Sequence, residues 1–344
     1  PAPPSTQDVW RRLGPPLASI GPIAVDPSAG QTVYAGVRNA SGGVYKTIDG
    51  GASWNAANAG LPNSPVTSLA IDPNAHQTIY VGTLGGVYKT GDGGNSWTSA
   101  HEGLSGPITS LAIDPIETRI LYAGTADAGV FKSVDGGAKW EPMNVGLADL
   151  HIGALGIDPV NPQTLYAGTI RGGVYKSTDS GDSWTAINTG LPSGEILDLV
   201  IDPSNPQTIY VGGTHIGVFR STDGGGSWMS QTEGLFRQDI SALAVDPAFP
   251  NVVYFGLAGG GVFRSTDGGA SWQEYNTGLT NKAISTLAID PSSPYTLYAG
   301  TEFGGGVFSV LPGPRSPRTA PVLVDSLAFG TATIGESSEH TFQI

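Results

Sequence analysis

Six aspartates recur along this chain at steps of 43, 43, 44, 44 and 44 residues: Asp49, Asp92, Asp135, Asp179, Asp223 and Asp267. Each sits in the pattern Ser/Thr-x-Asp-x-Gly-x-x-Trp, and the copies end at Trp54, Trp97, Trp140, Trp184, Trp228 and Trp272. Carboxylates at such regular spacing would, as chemistry, be calcium ligands. Each motif brings a single carboxylate, however, whereas Ca²⁺ takes about six to eight oxygens. The same Asp and Ser/Thr side chains can bond to nearby backbone N–H groups and hold a tight turn. Glycines such as Gly50 and Gly51 permit positive φ there, and the tryptophan buries a large apolar surface. The motif is therefore read as structural, and no metal is expected. His76, His101, His151, His215 and His340 show no metal-ligand spacing such as i, i+4. There is no Gly-x-Ser-x-Gly elbow, and the run Gly259-Gly260-Gly261 precedes a strand rather than a helix, so it is no phosphate cradle. No catalytic residue and no cofactor are expected from these patterns.

The bulk properties narrow the classes further. A formal charge of -13, from 16 basic and 29 acidic residues, argues against a nucleic-acid partner. The absence of cysteine excludes disulfides, thiolate metal sites and thiol nucleophiles. No apolar run approaches the roughly 18 residues of a membrane span. An acidic, Cys-free chain rich in Gly, Ser, Thr and Pro suits a bacterial secreted or cell-surface protein, with the periplasm as the other compartment. Beginning at Pro1 with neither initiator Met nor signal peptide, the sequence reads as a mature or trimmed product.

The elements that hold the motif follow from one repeat. Residues 66–97 read VTSLAIDP, HQTIYVGT and GGVYKTGDGGNSW, which are short β-rich runs separated by turn residues. The first run ends at Asp-Pro, where proline stops ladder pairing. The second carries a tyrosine, the third starts at Gly-Val, and the fourth begins at the Trp and closes at Gly-Leu. Four strands in about 44 residues describe a β-propeller blade. Asp-Pro endings at Asp26, Asp72, Asp114, Asp158, Asp202, Asp246 and Asp290 count seven blades, yet only six Asp motifs are complete. Trp10 lies 44 residues before Trp54, so residues near 8–13 should supply the missing outer strand of the last blade, which ends at Phe308. The expected fold is all-β, a seven-bladed propeller over residues 8–310 closed by its N-terminal strand. A Pro-rich linker, 311–321, and the start of an incomplete β-sandwich module, 322–344, should follow.

These residues resemble the Asp-box, or BNR, repeat. It is shared by sialidases, two-propeller xyloglucanases, ten-bladed sortilin-type receptors and seven-bladed photosystem II assembly factors. The resemblance covers about residues 8–310 and carries fold more than activity, because Asp boxes occur in enzymes and binding proteins alike. A sialidase would imply three arginines on a carboxylate substrate. Arg38, Arg171 and Arg237 are available but fall in blades 1, 4 and 6, and the family's Arg-Ile-Pro segment is absent. A xyloglucanase-like hydrolase would imply two carboxylates across a cleft, roughly 6.5–9.5 Å apart for inversion; Asp127, Asp149, Glu195 and Asp239 are the candidates. The assembly factors meet their partner through a basic patch, for which this chain has no comparable Arg cluster. The tail resembles the opening of an Ig-like module of bacterial surface proteins.

Variability points to one face. Loops after Tyr-x-Gly and after Gly-Leu differ from blade to blade, whereas the Asp-box and Asp-Pro turns share the other face. Candidate binding residues on the variable face are Arg38, Arg171, His215, Phe236, Arg237 and Phe303. The expected role is a non-catalytic extracellular interaction or structural module. It would bind a protein partner or neighbouring subunit through this face, with self-assembly through the C-terminal strands. A carbohydrate-active protein, glycoside hydrolase or lectin, with a glycan ligand, is the alternative. Lys46, Lys89, Lys132, Lys176, Arg220 and Arg264 occupy one repeat position and should snorkel over their blades or pair with neighbouring acids.

Overall fold

The computed structural model describes residues 8–15, 18–231, 239–291 and 296–312. The chain divides into two units, 1–312 and 313–344; the linker from residue 313 and the whole of 322–344 lie outside the described residues. The first unit consists of seven four-stranded antiparallel sheets. Blade 2 is typical: Val66–Ile71 pairs with Ile79–Thr83, which pairs with Gly86–Thr90, which pairs with Thr98–Ser99. The outer strand is shorter than the sequence pattern suggests. It covers two residues and starts just after the tryptophan, because Trp97 turns inward and is 4% exposed.

What makes seven sheets a ring is a plug and a notch at each junction. At or next to the start of each blade's inner strand stands an aliphatic residue, among them Ile108, Ile152 and Ile196, each at most 1% exposed. That side chain enters a notch in the preceding blade left by the glycine of Tyr-x-Gly. A Cβ on Gly82, Gly124 or Gly168 would come within 2.6, 2.6 and 2.4 Å of the neighbouring isoleucine. A second junction lies near the outer strands. Trp97 donates its backbone N–H to Ala59 O at 2.8 Å and its indole N–H to Ala57 O at 2.8 Å, both in blade 1. Gly60 follows at φ 94°, and its missing Cβ leaves room for the Trp97 carbonyl. Gly-Leu recurs for this reason, with Gly103 against Trp140 and Gly146 against Trp184 in the same relation.

The last blade closes as expected. Arg11–Gly14 pairs antiparallel with Gly306–Val310, Arg12 opposite Phe308. Trp10, 2% exposed, takes the place of a box tryptophan, donating to Thr277 O at 2.8 Å and through its indole to Tyr275 O at 2.6 Å. The ring therefore has no unpaired seam.

Besides Glu195 at the end of its strand, one inner-strand position carries an ionisable group. Asp198 of blade 5 accepts the Leu243 N–H of blade 6 at 2.7 Å and its neighbour's N–H, from Leu199, at 2.8 Å. Burial pushes its carboxyl up to about 6 despite those two bonds. Ser68 and Ser110 do the same bridging work, accepting from Leu111 and Leu155 at 2.9 and 3.2 Å. A folded-state pKa above the unfolded value means a contribution present in acid and lost as pH rises through about 6. Asp198→Ser should therefore raise stability at about pH 8 by about 1–3 kcal/mol and by much less at about pH 4. Thermal melts at the two pH values check it, and a loss at the higher pH would show that the carboxylate's hydrogen bonds outweigh its burial.

Candidate functional site

The Asp boxes form as turn braces. In blade 1, Thr47 Oγ1 donates to Asp49 Oδ1 at 2.7 Å and accepts the Gly51 N–H at 2.9 Å. Ser53 supplies its N–H to Asp49 Oδ1 at 2.9 Å and its hydroxyl to Oδ2 at 2.5 Å. With both oxygens engaged, the carboxylate is held well below its ordinary range, chiefly by the Ser53 and Thr47 hydroxyls. Asp92 behaves alike, and Asp179 and Asp223 are held near 2. Asp135 and Asp267 are also lowered; box 3 has Lys139 where others have serine, so its bonds come from the Lys139 N–H and Ser133. Among the described residues no group of three or more His, Asp or Glu is arranged to hold a metal.

The periodic cations have a structural task, and the four lysines among them bond to backbone carbonyls rather than to acids. Lys46 Nζ donates to Gly93 O of the next blade's box at 2.8 Å, 5.3 Å from the centre of the Tyr34 ring. Tyr34 donates its hydroxyl to the same carbonyl at 3.1 Å. Lys89, Lys132 and Lys176 repeat the arrangement on Gly136, Ser180 and Gly224. Arg220 lies over Tyr210. Arg264 breaks the series at the seam, 3.7 Å from Asp8 of the closing strand.

On the variable face one recess gathers several of the sequence candidates. It has a volume of about 510 Å³ and is lined by Asp127, Asp149, Leu150, His151, Arg171 and Tyr175, among others. Asp127 comes from the loop between the second and third strands of blade 3, and 149–151 from the connection into blade 4. Arg171 lies in the matching loop of blade 4, and Tyr175 in its third strand, Val174–Ser177. Asp149 organises the wall. Its Oδ2 accepts the N–H groups of Arg171 at 2.7 Å and Gly172 at 3.2 Å. Its Oδ1 meets His151 Nδ1 at 2.7 Å and the His151 N–H at 3.1 Å. Burial alone would raise this carboxyl, but the bonds from His151 and Arg171 outweigh it and leave the pKa below the ordinary value. Asp149 thus stays ionised in the neutral range with both oxygens occupied, which suits a brace and not a proton donor. Arg171 and Asp127 are exposed at the mouth, Leu150 is 36% exposed, and Tyr175 forms part of the buried wall.

The remaining candidates stand elsewhere on the ring. Arg38 of blade 1 pairs with Glu302 of blade 7 at 3.0 Å. Phe303, beside Glu302, has φ 55° and is 82% exposed. His215 of blade 5 has φ 62° and donates its backbone N–H to Asp239 Oδ1 at 3.1 Å. Glu195 opens an inner strand opposite Thr214. Phe236 and Arg237 lie outside the described residues. Of the six candidate binding residues, the four described occupy separate blades, with only Arg171 in the recess, beside the carboxylate candidates Asp127 and Asp149. Leu150 and Tyr175 went unnoticed in the sequence: Tyr175 holds the repeat position shared with Tyr45, Tyr88 and Phe131 and reads as scaffold. Asp149-x-His151, an acidic residue two before its partner, was the available signal for an Asx-type turn.

Among the described residues no helix is long and apolar enough to cross a membrane. No curated protein matches the chain. Among solved structures, the GH74 xyloglucanase from Xanthomonas campestris superposes with a TM-score of 0.72 at 20% identity, over 90% of this chain and 54% of that one. The chain thus spans about half the length of that enzyme. The structure described as YCF48 bound to D1 peptide has a TM-score of 0.66 at 15% identity, covering 90% of this chain and 96% of that one. The extracellular domain of the putative one component system BT4673 from B. thetaiotaomicron has a TM-score of 0.69 at 16% identity, over 88% and 40%. At these identities the likenesses carry the fold alone. A sequence-family model goes further, matching residues 40–242, more than half of the chain. By that match the chain belongs to the family of the photosynthesis system II assembly factor YCF48.

Proposed function

We propose that this chain is a non-catalytic interaction module, exported to the cell surface or beyond, which holds a segment of a protein partner on its variable face. The observation that carries the reading is the state of Asp149, ionised and saturated by its own loops. That leaves Asp127 as the free carboxylate in the recess, whereas glycoside hydrolysis uses a pair. The recess instead offers what an extended peptide needs: a cation in Arg171, an anion in Asp127, an imidazole in His151, and apolar surface from Leu150. A peptide-bound relative, YCF48 with D1 peptide, supports a polypeptide ligand. Sugar recognition favours exposed aromatic platforms, and the one large aromatic exposed among the described residues, Phe303, belongs to blade 7 rather than to the recess.

A photo-crosslinking residue at position 150 or 171 tests this directly. In an extract of the producing cells it should yield discrete protein adducts, whereas the same residue at exposed position 95, on the Asp-box face, should yield none of the same adducts. Arg171→Ala should weaken the captured partner's binding about tenfold, the effect of losing one charge-assisted anchor. Adducts indifferent to position, or binding indifferent to Arg171, would refute the reading.

A further inference from the structure

The opposite face carries a second feature that the variable-face site does not use. Where the inner strands of blades 4 to 7 end in their Asp-Pro turns, they leave a recess of about 420 Å³. Its wall is aliphatic, with Ile157, Ile201, Leu243, Val245 and Ile289 among the lining residues and no charged side chain. Turns of the same face carry further exposed aliphatic residues. Ile116 and Val160, next to the prolines of the turns in blades 3 and 4, are 67% and 69% exposed, and Val134, beside the box aspartate of blade 3, is 63% exposed. Turn residues of a solvated propeller face have no packing reason to be large aliphatics, and apolar surface that gathers in one place marks an interaction site.

Charge selects the occupant. Seven Asp-Pro aspartates and six box aspartates lie on this face, with Glu117 and Asp182 in the same turns, against the six cations of the third strands and Arg119 and Lys139. The Asp-Pro carboxylates bond to the N–H groups of their own turns, as Asp114 does to Ile116 and Glu117 and Asp158 to Val160 and Asn161. The box aspartates remain ionised because hydroxyl and N–H donors hold their pKa values down. An apolar mouth is thus set inside a field of negative charge, and a concave apolar wall focuses such a field. An anionic membrane surface would be repelled. A second copy docking through the same face would bring like charges together.

We propose that this face binds a basic, aliphatic polypeptide segment of a partner, with aliphatic side chains in the central recess and Lys or Arg over the surrounding aspartates. The surface is distinct from the recess between blades 3 and 4, and the proposal stands or falls independently of it.

Selection of random-sequence peptides displayed on phage against the full chain tests the idea. Enriched peptides should combine aliphatic residues with Lys or Arg, and should lose affinity about tenfold on raising salt from low to near-physiological strength and above. Ile116→Ser with Val160→Ser, at positions too exposed to affect folding, should weaken them about fivefold, and Ile201→Gln in the recess about tenfold or more. Leu84→Ser, on the variable face, should leave binding unchanged. Failure to select any binder, selection of peptides without basic residues, or binding that survives both sets of substitutions would overturn the proposal. So would equal binding to anionic vesicles, or self-association through Ile116 and Val160 detected by light scattering.

Discussion

Deleting residues 1–14 should convert a cooperatively melting propeller into an aggregating one. The deletion removes the outer strand Arg11–Gly14 and leaves Gly306–Val310 as an open edge. Unpaired edges recruit other strands, which is how sheets aggregate. It also removes Trp10, 2% exposed in a core cluster with Tyr254, Ile284 and Phe308. Loss of a buried tryptophan of this kind costs about 3–5 kcal/mol. Asp8 goes too, and with it the acceptor for the Tyr275 hydroxyl at 2.6 Å and the partner of Arg264. Against a total stability of about 5–15 kcal/mol, the sum is enough to unfold the last blade. Light scattering and a thermal melt read the outcome. Adding a synthetic peptide of residues 1–14 in trans should suppress the aggregation and restore most of the melting temperature. A truncated chain that does not aggregate and keeps an unchanged melt would mean that the ring does not depend on its closing strand.

Replacing Trp140 by alanine should cost about 3–5 kcal/mol, lowering the melting temperature by about ten degrees. Trp140 is 2% exposed between blades 2 and 3, packed with Tyr80, Ala100 and Ile108. Its indole N–H donates to Ala100 O at 2.9 Å and its backbone N–H to Glu102 O at 2.9 Å. Trp54 occupies the same repeat position at the seam but is only partly buried, and among the described residues its indole nitrogen has no hydrogen-bond partner. The equivalent acceptor would lie in the closing strand, where the pairing register shifts between Arg12 and Gly14. Trp54→Ala should therefore cost clearly less than Trp140→Ala. Equal losses would mean that the motif tryptophans contribute through bulk alone, without regard to the junction each one seals.

Much of this architecture was legible because a repeat states each physical requirement several times. Tyr-x-Gly is written seven times since the next blade's aliphatic plug needs the same notch at each junction. Gly-Leu recurs since a tryptophan carbonyl occupies the space of a Cβ. Trp10 betrayed the ring closure by standing one period before Trp54 with no box of its own. What a period cannot convey is which loops come together. Asp127, Asp149 and Arg171 are read along the chain as loop residues of two blades. Their meeting in one recess depends on blade twist, and on Asp149 turning back to bond its own neighbours. The cations lie over their blades' tyrosines as expected, but their acceptors, such as Gly93 O, are backbone atoms that leave no trace in side-chain patterns. The aliphatic recess on the Asp-Pro face was hidden for a related reason. Its wall is built from inner-strand residues that look like ordinary core.

The functional account rests on Asp149 being a brace within a binding recess and not half of a catalytic pair. The most direct test is release of reducing sugar from xyloglucan and related β-glucans by the full chain at high concentration, run beside Asp127→Asn and Asp149→Asn. The account predicts no release that depends on either carboxylate, with Asp149→Asn acting on stability and on the shape of the recess. Hydrolysis by the unaltered chain that disappears in both variants would contradict it and make this propeller an enzyme.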